Sequence, residues 1–146
     1  MKRLIHAAII IPFFLLAGCL NPTVVSIVEA AHEAALVEND ELVGTYFSDD
    51  FMEERSLEGL SDGLAEDVRN SEGVKLMNMK EIKEGQLRQE IVEKFNTRYD
   101  GEWNMVAGQT GETFIKVWIV KKENHRYVIV EGEEMDIDTY NEQILK

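Results

Sequence analysis

WNMVAGQTGETFIKVWIVKKENHRYVIV, residues 103–130, decides the fold. Trp103, Met105 and Ala107 alternate with polar or small residues as far as a turn at Gln109-Thr110-Gly111. Thr113–Val120 is β-branched and aromatic, the composition that suits a pleated surface. Lys121-Lys122-Glu123-Asn124-His125 reads as a loop, and Arg126–Val130 as the return strand. Strands joined by connections this short pair antiparallel. A three-stranded meander is therefore expected here.

Upstream the period changes from two to nearly four. Leu87, Ile91, Phe95 and Tyr99 recur every fourth residue, Glu90 and Lys94 form an i,i+4 pair, and Asp100-Gly101 stops the helix. Phe95 should lie in the core against the sheet that carries Trp118. Val74–Ile82 reads as a strand or extended segment with Met77 and Met79 on one face. Before it, Leu57, Leu60, Leu64 and Val68 mark a helix in which Gly59 and Gly63 each cost up to ~1 kcal/mol relative to alanine. Leu42, Val43, Tyr46 and Phe47 predict a short helix entered at Asn39-Asp40 and left at Ser48-Asp49-Asp50, with Phe51 and Met52 folding back on it. Thr23 is the expected cap of a first helix running to about Glu38, with Val24, Ile27, Val28, Ala31, Ala34 and Ala35 on its apolar face. Downstream, Glu131 begins an acidic tail with a last helical turn around Tyr140–Leu145. Helices segregated from an antiparallel sheet make the expected class α+β.

The first twenty residues have a different logic. Lys2 and Arg3 precede the apolar run Leu4–Leu16, which small residues close. That order is a secretory signal, and a run this short, interrupted by Pro12, falls well below the ~20 residues of a membrane span. Leu16-Ala17-Gly18-Cys19 resembles the bacterial lipobox, and Cys19 is the only cysteine. The resemblance implies that Cys19 receives a diacylglycerol, with acyl chains such as palmitate, and becomes the first mature residue. The expected organisation is a signal peptide at 1–18, lipidated cysteine and short linker at 19–23, and one α+β domain at 24–146. Leu20-Asn21-Pro22-Thr23 reaches only ~13 Å when extended, so the domain should sit close to the bilayer. The expected location is the extracytoplasmic face of the cell membrane, with the lipid anchor as the membrane contact.

The formal charge is −13, and −15 once Lys2 and Arg3 are removed. Fourteen acids face two bases between Thr23 and Glu72, whereas fourteen face eleven from Gly73 to Lys146. Such a surface is repelled by phosphate backbones, so no nucleic-acid partner is expected. It is also repelled by anionic headgroups, which leaves attachment to the acyl chains. Glu38, Asp40 and Glu41, with Glu29 and Glu33 nearby, are the candidate surface for a basic protein or peptide.

Chemistry-bearing patterns are sparse. No serine lies in a G-x-S-x-G elbow, and neither H-E-x-x-H nor a G-x-x-x-x-G-K loop occurs. His32 is placed on the flank of the first helix or in solvent, and His125 in a hairpin loop. Glu134, Asp136 and Asp138 alternate as Ca²⁺ ligands would, but Thr139 and Leu145 stand where an EF-hand needs glycine and glutamate. No catalytic residue, metal site or cofactor is assigned. Trp103, Met105, Phe114, Trp118 and Tyr127 fall on expected strands, as core or as the lining of a concave sheet face.

The order of helices, strand, helix and meander resembles the cystatin-like and nuclear-transport-factor-two-like superfamily over most of residues 23–135. That resemblance implies N-terminal helices packed on a curved, cone-like antiparallel sheet, in a family that includes enzymes and many non-catalytic binding domains. The expected function is a membrane-anchored exported lipoprotein with a non-catalytic protein- or peptide-binding domain. Its alternatives are a small-molecule-binding or catalytic cone-fold domain and a structural acidic lipoprotein of the cell envelope.

Overall fold

The computed structural model describes residues 23–146. Cys19 and the signal and linker expectations up to residue 22 lie outside the described residues. The class is α+β: helices pack on a four-stranded antiparallel meander of order β1-β2-β3-β4. The strands are β1 (Lys80–Ile82), β2 (Asn104–Gln109), β3 (Phe114–Glu123) and β4 (Arg126–Asp136). Four helices precede the sheet: α1 (Val24–Leu36), α2 (Asp40–Thr45), α3 (Asp49–Glu53) and α4 (Leu57–Asn70). Helix α5 (Gln89–Tyr99) joins β1 to β2, and α6 (Ile137–Gln143) follows β4.

Each N-terminal helix starts where a short polar side chain takes an otherwise unpaired backbone N–H. The hydroxyl of Thr23 accepts from Ser26 N, Asn39 from Leu42 N, Ser48 from Phe51 N and Ser56 from Gly59 N. Asp136 does the same for α6: its carboxylate accepts from both the N–H and the hydroxyl of Thr139, which holds it below the ordinary aspartate value. Phe47 and Ser48, between α2 and α3, run beside β4. There Ser48 N donates to Ile129 O at 3.0 Å and Ile129 N to Tyr46 O at 2.8 Å. This cover satisfies part of an edge that would otherwise offer free backbone groups.

The sheet is buried on both faces. Val106, Trp118, Val120 and Ile129 point to the layer of α1–α4, whereas Met105, Ala107, Val117 and Ile119 point to α5 and α6. Burial on both sides explains why Val117–Val120 of β3 reads as a continuous apolar run. The α5–α6 layer lies outside an arrangement that packs N-terminal helices on a single face. A β-bulge separates the pairs Ile119↔Glu131 and Val120↔Ile129, leaving Val130 as the extra residue. The bulge resets the alternation of β4. Ile129 and Gly132 thus face one layer, and Val130 and Glu131 the other.

Several local expectations change. Val74–Met77 is a 3-10 turn closed by left-handed Asn78, so the extended segment shrinks to Lys80–Ile82. Leu87 is buried but precedes α5, bridged to Leu145 near the C-terminus. The loop expected at 121–125 reduces to Asn124-His125, both with positive φ, the geometry of a tight two-residue hairpin. The acidic tail is largely exposed but not irregular, because β4 continues through it to Asp136. Asp138 then belongs to a helix, which breaks the shared strand face with Glu134 and Asp136. The five aromatic and methionine residues do not share a face either. Trp103 and Met105 pack with α5, Trp118 and Tyr127 with α1–α4, and Phe114 is exposed.

Phe95 is buried on α5, with its ring 5.1 Å from that of Trp103, whose indole N–H donates to Asn96 at 2.8 Å. It packs, as expected, on the sheet that carries Trp118, from the face opposite that ring. Truncating such a ring costs ~3–5 kcal/mol. Phe95→Ala should lower the denaturant midpoint accordingly, and an unchanged midpoint would contradict this packing.

Candidate functional site

The layer of α1–α4 contains a small network of polar groups that sequence reading missed. His32 is 0% exposed, neither on a flank nor in solvent. Its Nδ1 is 2.8 Å from Val28 O, and since a carbonyl only accepts, Nδ1 carries a proton. Nε2 lacks a hydrogen-bond partner and faces Asp67 Oδ2 at 3.7 Å. The same Oδ2 accepts from Lys116 Nζ at 2.6 Å. Asp67 is buried on α4 and Lys116 is partly buried on β3, so the carboxylate joins two layers of the fold.

Burial pushes the Asp67 carboxyl upward, but the His32 ring and the Lys116 ammonium more than offset it and hold the group below its ordinary value. Its stabilising contribution is therefore complete above the unfolded value of ~3.9 and is lost as pH falls through the lower folded value.

Next to this network is a cleft between α3, α4 and the sheet, with a cavity of about 370 Å³. Its apolar wall is aromatic at the base: Phe47, Phe51 and Trp118 contribute together with Leu60 and Leu64. The Phe47 and Phe51 ring centroids are 4.8 Å apart, and the His32 ring makes a T-shaped contact with Trp118, centroids 5.0 Å apart. Three glycines, Gly59, Gly63 and Gly132, leave the wall bare where side chains would project. A Cβ added at Gly63 would meet no atom within 4 Å.

Two cations, Arg55 and Lys116, line the cleft, and no carboxylate does. The Arg55 guanidinium sits 3.9 Å from the Phe51 ring centroid and donates to Phe51 O at 3.0 Å. Among the described residues it makes no salt bridge. Ser56 also reaches the cleft, but its hydroxyl caps α4. His32 is buried and is not in the cleft wall, so its ring is out of reach of anything bound there.

The other candidate residues lie apart from this cleft. Glu38 and Glu41 are exposed and Asp40 is half-buried, at the junction of α1 and α2. Leu36, Val37 and Leu42 are exposed around them, which mixes apolar surface with the acids. His125 is exposed in the β3–β4 turn. Two of the tail carboxylates are engaged locally: Glu134 accepts from the Thr110 hydroxyl at 2.7 Å, and Glu131 accepts from Tyr99 at 2.6 Å and pairs with Arg98. Compared with known proteins, the chain matches no family model, no curated protein and no solved structure.

Lys116 and Asp67 left readable traces. Lys116 is the one charge inside Phe114–Val120, and Asp67 follows Leu64 by three residues on the apolar side of its helix. Arg55 left none, because nothing in a lone arginine tells where its loop will fold.

Asp67→Asn should destabilise the protein by about 2 kcal/mol at neutral pH, since it removes the charge from a charge-assisted hydrogen bond. The gap to wild type should persist down to about pH 4 and close below it, as the wild-type carboxyl is protonated. Denaturant melts of both proteins across pH 2–7 measure this. A gap independent of pH would mean that the ion pair contributes nothing.

Proposed function

We propose that this chain is an exported lipoprotein, held at the extracytoplasmic face of the cell membrane by lipid on Cys19, whose folded part is a non-catalytic binding domain with its ligand in the α3–α4 cleft. The observation that carries the binding reading is the cleft itself. Its volume is within the ~300–1,000 Å³ of small-molecule sites, and an apolar wall with a few polar groups is their usual composition. The small-molecule alternative is thereby preferred to the peptide reading. The non-catalytic reading is supported by what the wall lacks: Ser56 is engaged as a cap, and His32 is buried against Trp118. A general base must come within hydrogen-bond reach of the proton it takes. The anchor reading rests on the lipobox resemblance. Among the described residues no helix is long and apolar enough to cross a membrane.

A second reading, a basic protein partner, is favoured by one feature. Leu36, Val37 and Leu42 are exposed beside Glu38, Asp40 and Glu41. Apolar surface rimmed by charge is a frequent form of protein contact. Charge reversal at the three acids should then abolish salt-sensitive recovery of a cross-linked partner while the fold is retained. Recovery at wild-type level would remove this reading.

Two measurements test the principal proposal. Metabolic labelling with an alkyne fatty acid should mark wild type and not Cys19→Ala, and equal labelling would refute the anchor. Native mass spectrometry of the protein released from its own membrane should show a retained small molecule that Gly63→Leu loses. The leucine would grow into open space and improve helix propensity by up to ~1 kcal/mol, so misfolding would not account for the loss. Equal retention by Gly63→Leu would place the ligand elsewhere.

A further inference from the structure

The geometry points to a small organic anion, a monocarboxylate with an apolar body, as the ligand class of the α3–α4 cleft; the inference rests on the cleft being the binding site. Charge selects the class. From Thr23 to Glu72 the chain has fourteen acids and two bases, and one of those two bases, Arg55, stands at this cleft. A wall assembled without regard to charge from so acidic a chain would carry carboxylates. This wall carries two cations and none.

The cations are placed differently. Lys116 Nζ gives one bond to Asp67 Oδ2, and an ammonium has three donors, so it can bind a second anion without leaving the first. Arg55 is fixed on one side by Phe51 O and by the Phe51 ring, and among the described residues no carboxylate pairs with it. A guanidinium held in this way offers its remaining N–H groups to a planar carboxylate at little further ordering cost. On its other side Arg55 lines an adjoining depression with Asp50, Glu131 and Glu133, which shares Phe51 and Gly132 with the cleft. These acids would disfavour a dianion or a long anionic chain running out of the cleft. Size points the same way. At about 370 Å³ the cavity is near the lower limit for ligand clefts, so it suits a body of roughly one aromatic ring and a short chain rather than a lipid tail. Phe47, Phe51 and Trp118 provide the apolar contact for that body.

The test uses the mature lipidated protein in zwitterionic nanodiscs, labelled with 5-fluorotryptophan. The chain has two tryptophans, and they face opposite sides of the sheet, so one fluorine signal reports the cleft and the other serves as an internal control. The probes are 4-phenylbutyrate, indole-3-propionate and octanoate, each with the amide and the amine of the same skeleton. The carboxylates should shift the Trp118 signal saturably and leave Trp103 unmoved, binding at least tenfold more tightly than their amides and amines. Arg55→Gln, at an exposed position, should reduce that preference about tenfold while the amides bind as before. Gly63→Leu should abolish the Trp118 response to every probe.

Amines or amides that bind as tightly as the carboxylates would overturn the anion assignment and leave the cleft as a site for neutral or cationic ligands. An undiminished preference in Arg55→Gln together with Lys116→Gln would overturn it as well. A Trp118 response that survives Gly63→Leu, or no response to any of the nine compounds, would instead overturn the cleft as the binding site.

Discussion

The indole of Trp118 is the contact on which both the core and the cleft depend. It rises from β3 between two glycines on the neighbouring strands. A Cβ at Gly108 would approach its Cζ3 to 3.1 Å, and one at Gly132 its Cδ1 to 3.4 Å. The bare backbone on either side lets the ring lie low on the sheet, where His32 of α1 packs against it in a T-shaped contact. The same ring lines the cleft. An alanine at Gly108 would also meet Met79 at 2.9 Å. Met79 would then have to shift and the ring to give by a few tenths of an ångström, a strain shared by the core and the cleft wall. Core packing and site shape are here one constraint.

A buried ionic group near that ring needs its own account, since desolvation makes buried charges expensive unless they are paired. Asp67 meets the condition through Lys116, whose side chain remains 22% exposed and keeps part of its hydration. The pair links α4 to the centre of the sheet, and Ser71 continues the link one turn later. Its hydroxyl donates to Gln109 O at 2.9 Å and accepts from Gly111 N at 3.2 Å. These polar ties fix how far α4 stands from β3. That separation is the width of the cleft, because Gly59 and Gly63 put no side chain into it.

Much of the fold was legible because burial on two faces writes a strong pattern. The β-branched run of β3, the four-residue repeat of α5 and the Ser, Thr and Asn caps each follow from local chemistry that the chain states directly. What the sequence concealed depends on which elements meet. His32 has glutamates close by on its helix, at Glu29 and Glu33, and reads as surface, yet α4 and Trp118 enclose it. Glu131–Asp136 reads as a charged terminus, but its pairing with β3 makes it a strand, and two of its carboxylates, Glu131 and Glu134, find partners. The bulge at Val130 leaves no periodic trace until the register is known. The cleft was least legible of all, because it is defined by side chains that are absent and by an arginine from a loop.

The charge of the chain and the charge of the cleft work on different length scales. Exposed acids act over a Debye length of ~8 Å at physiological salt, so the surface field slows the approach of any anion but fades inside a partly enclosed cavity. There the nearest groups dominate, and these are Arg55 and Lys116. Such an arrangement discriminates by sign at two stages. Cations are drawn to the surface but find no carboxylate in the cleft wall, whereas an anion arrives more slowly and finds fixed donors. Affinity for an anion must then lie in slow dissociation rather than fast association, which is how most affinity differences between related complexes arise. In the proposed lipid-anchored state, with ~13 Å of linker between lipid and domain, repulsion from anionic headgroups would turn the densest acids, which lie on the helical layer that carries the cleft, away from the membrane.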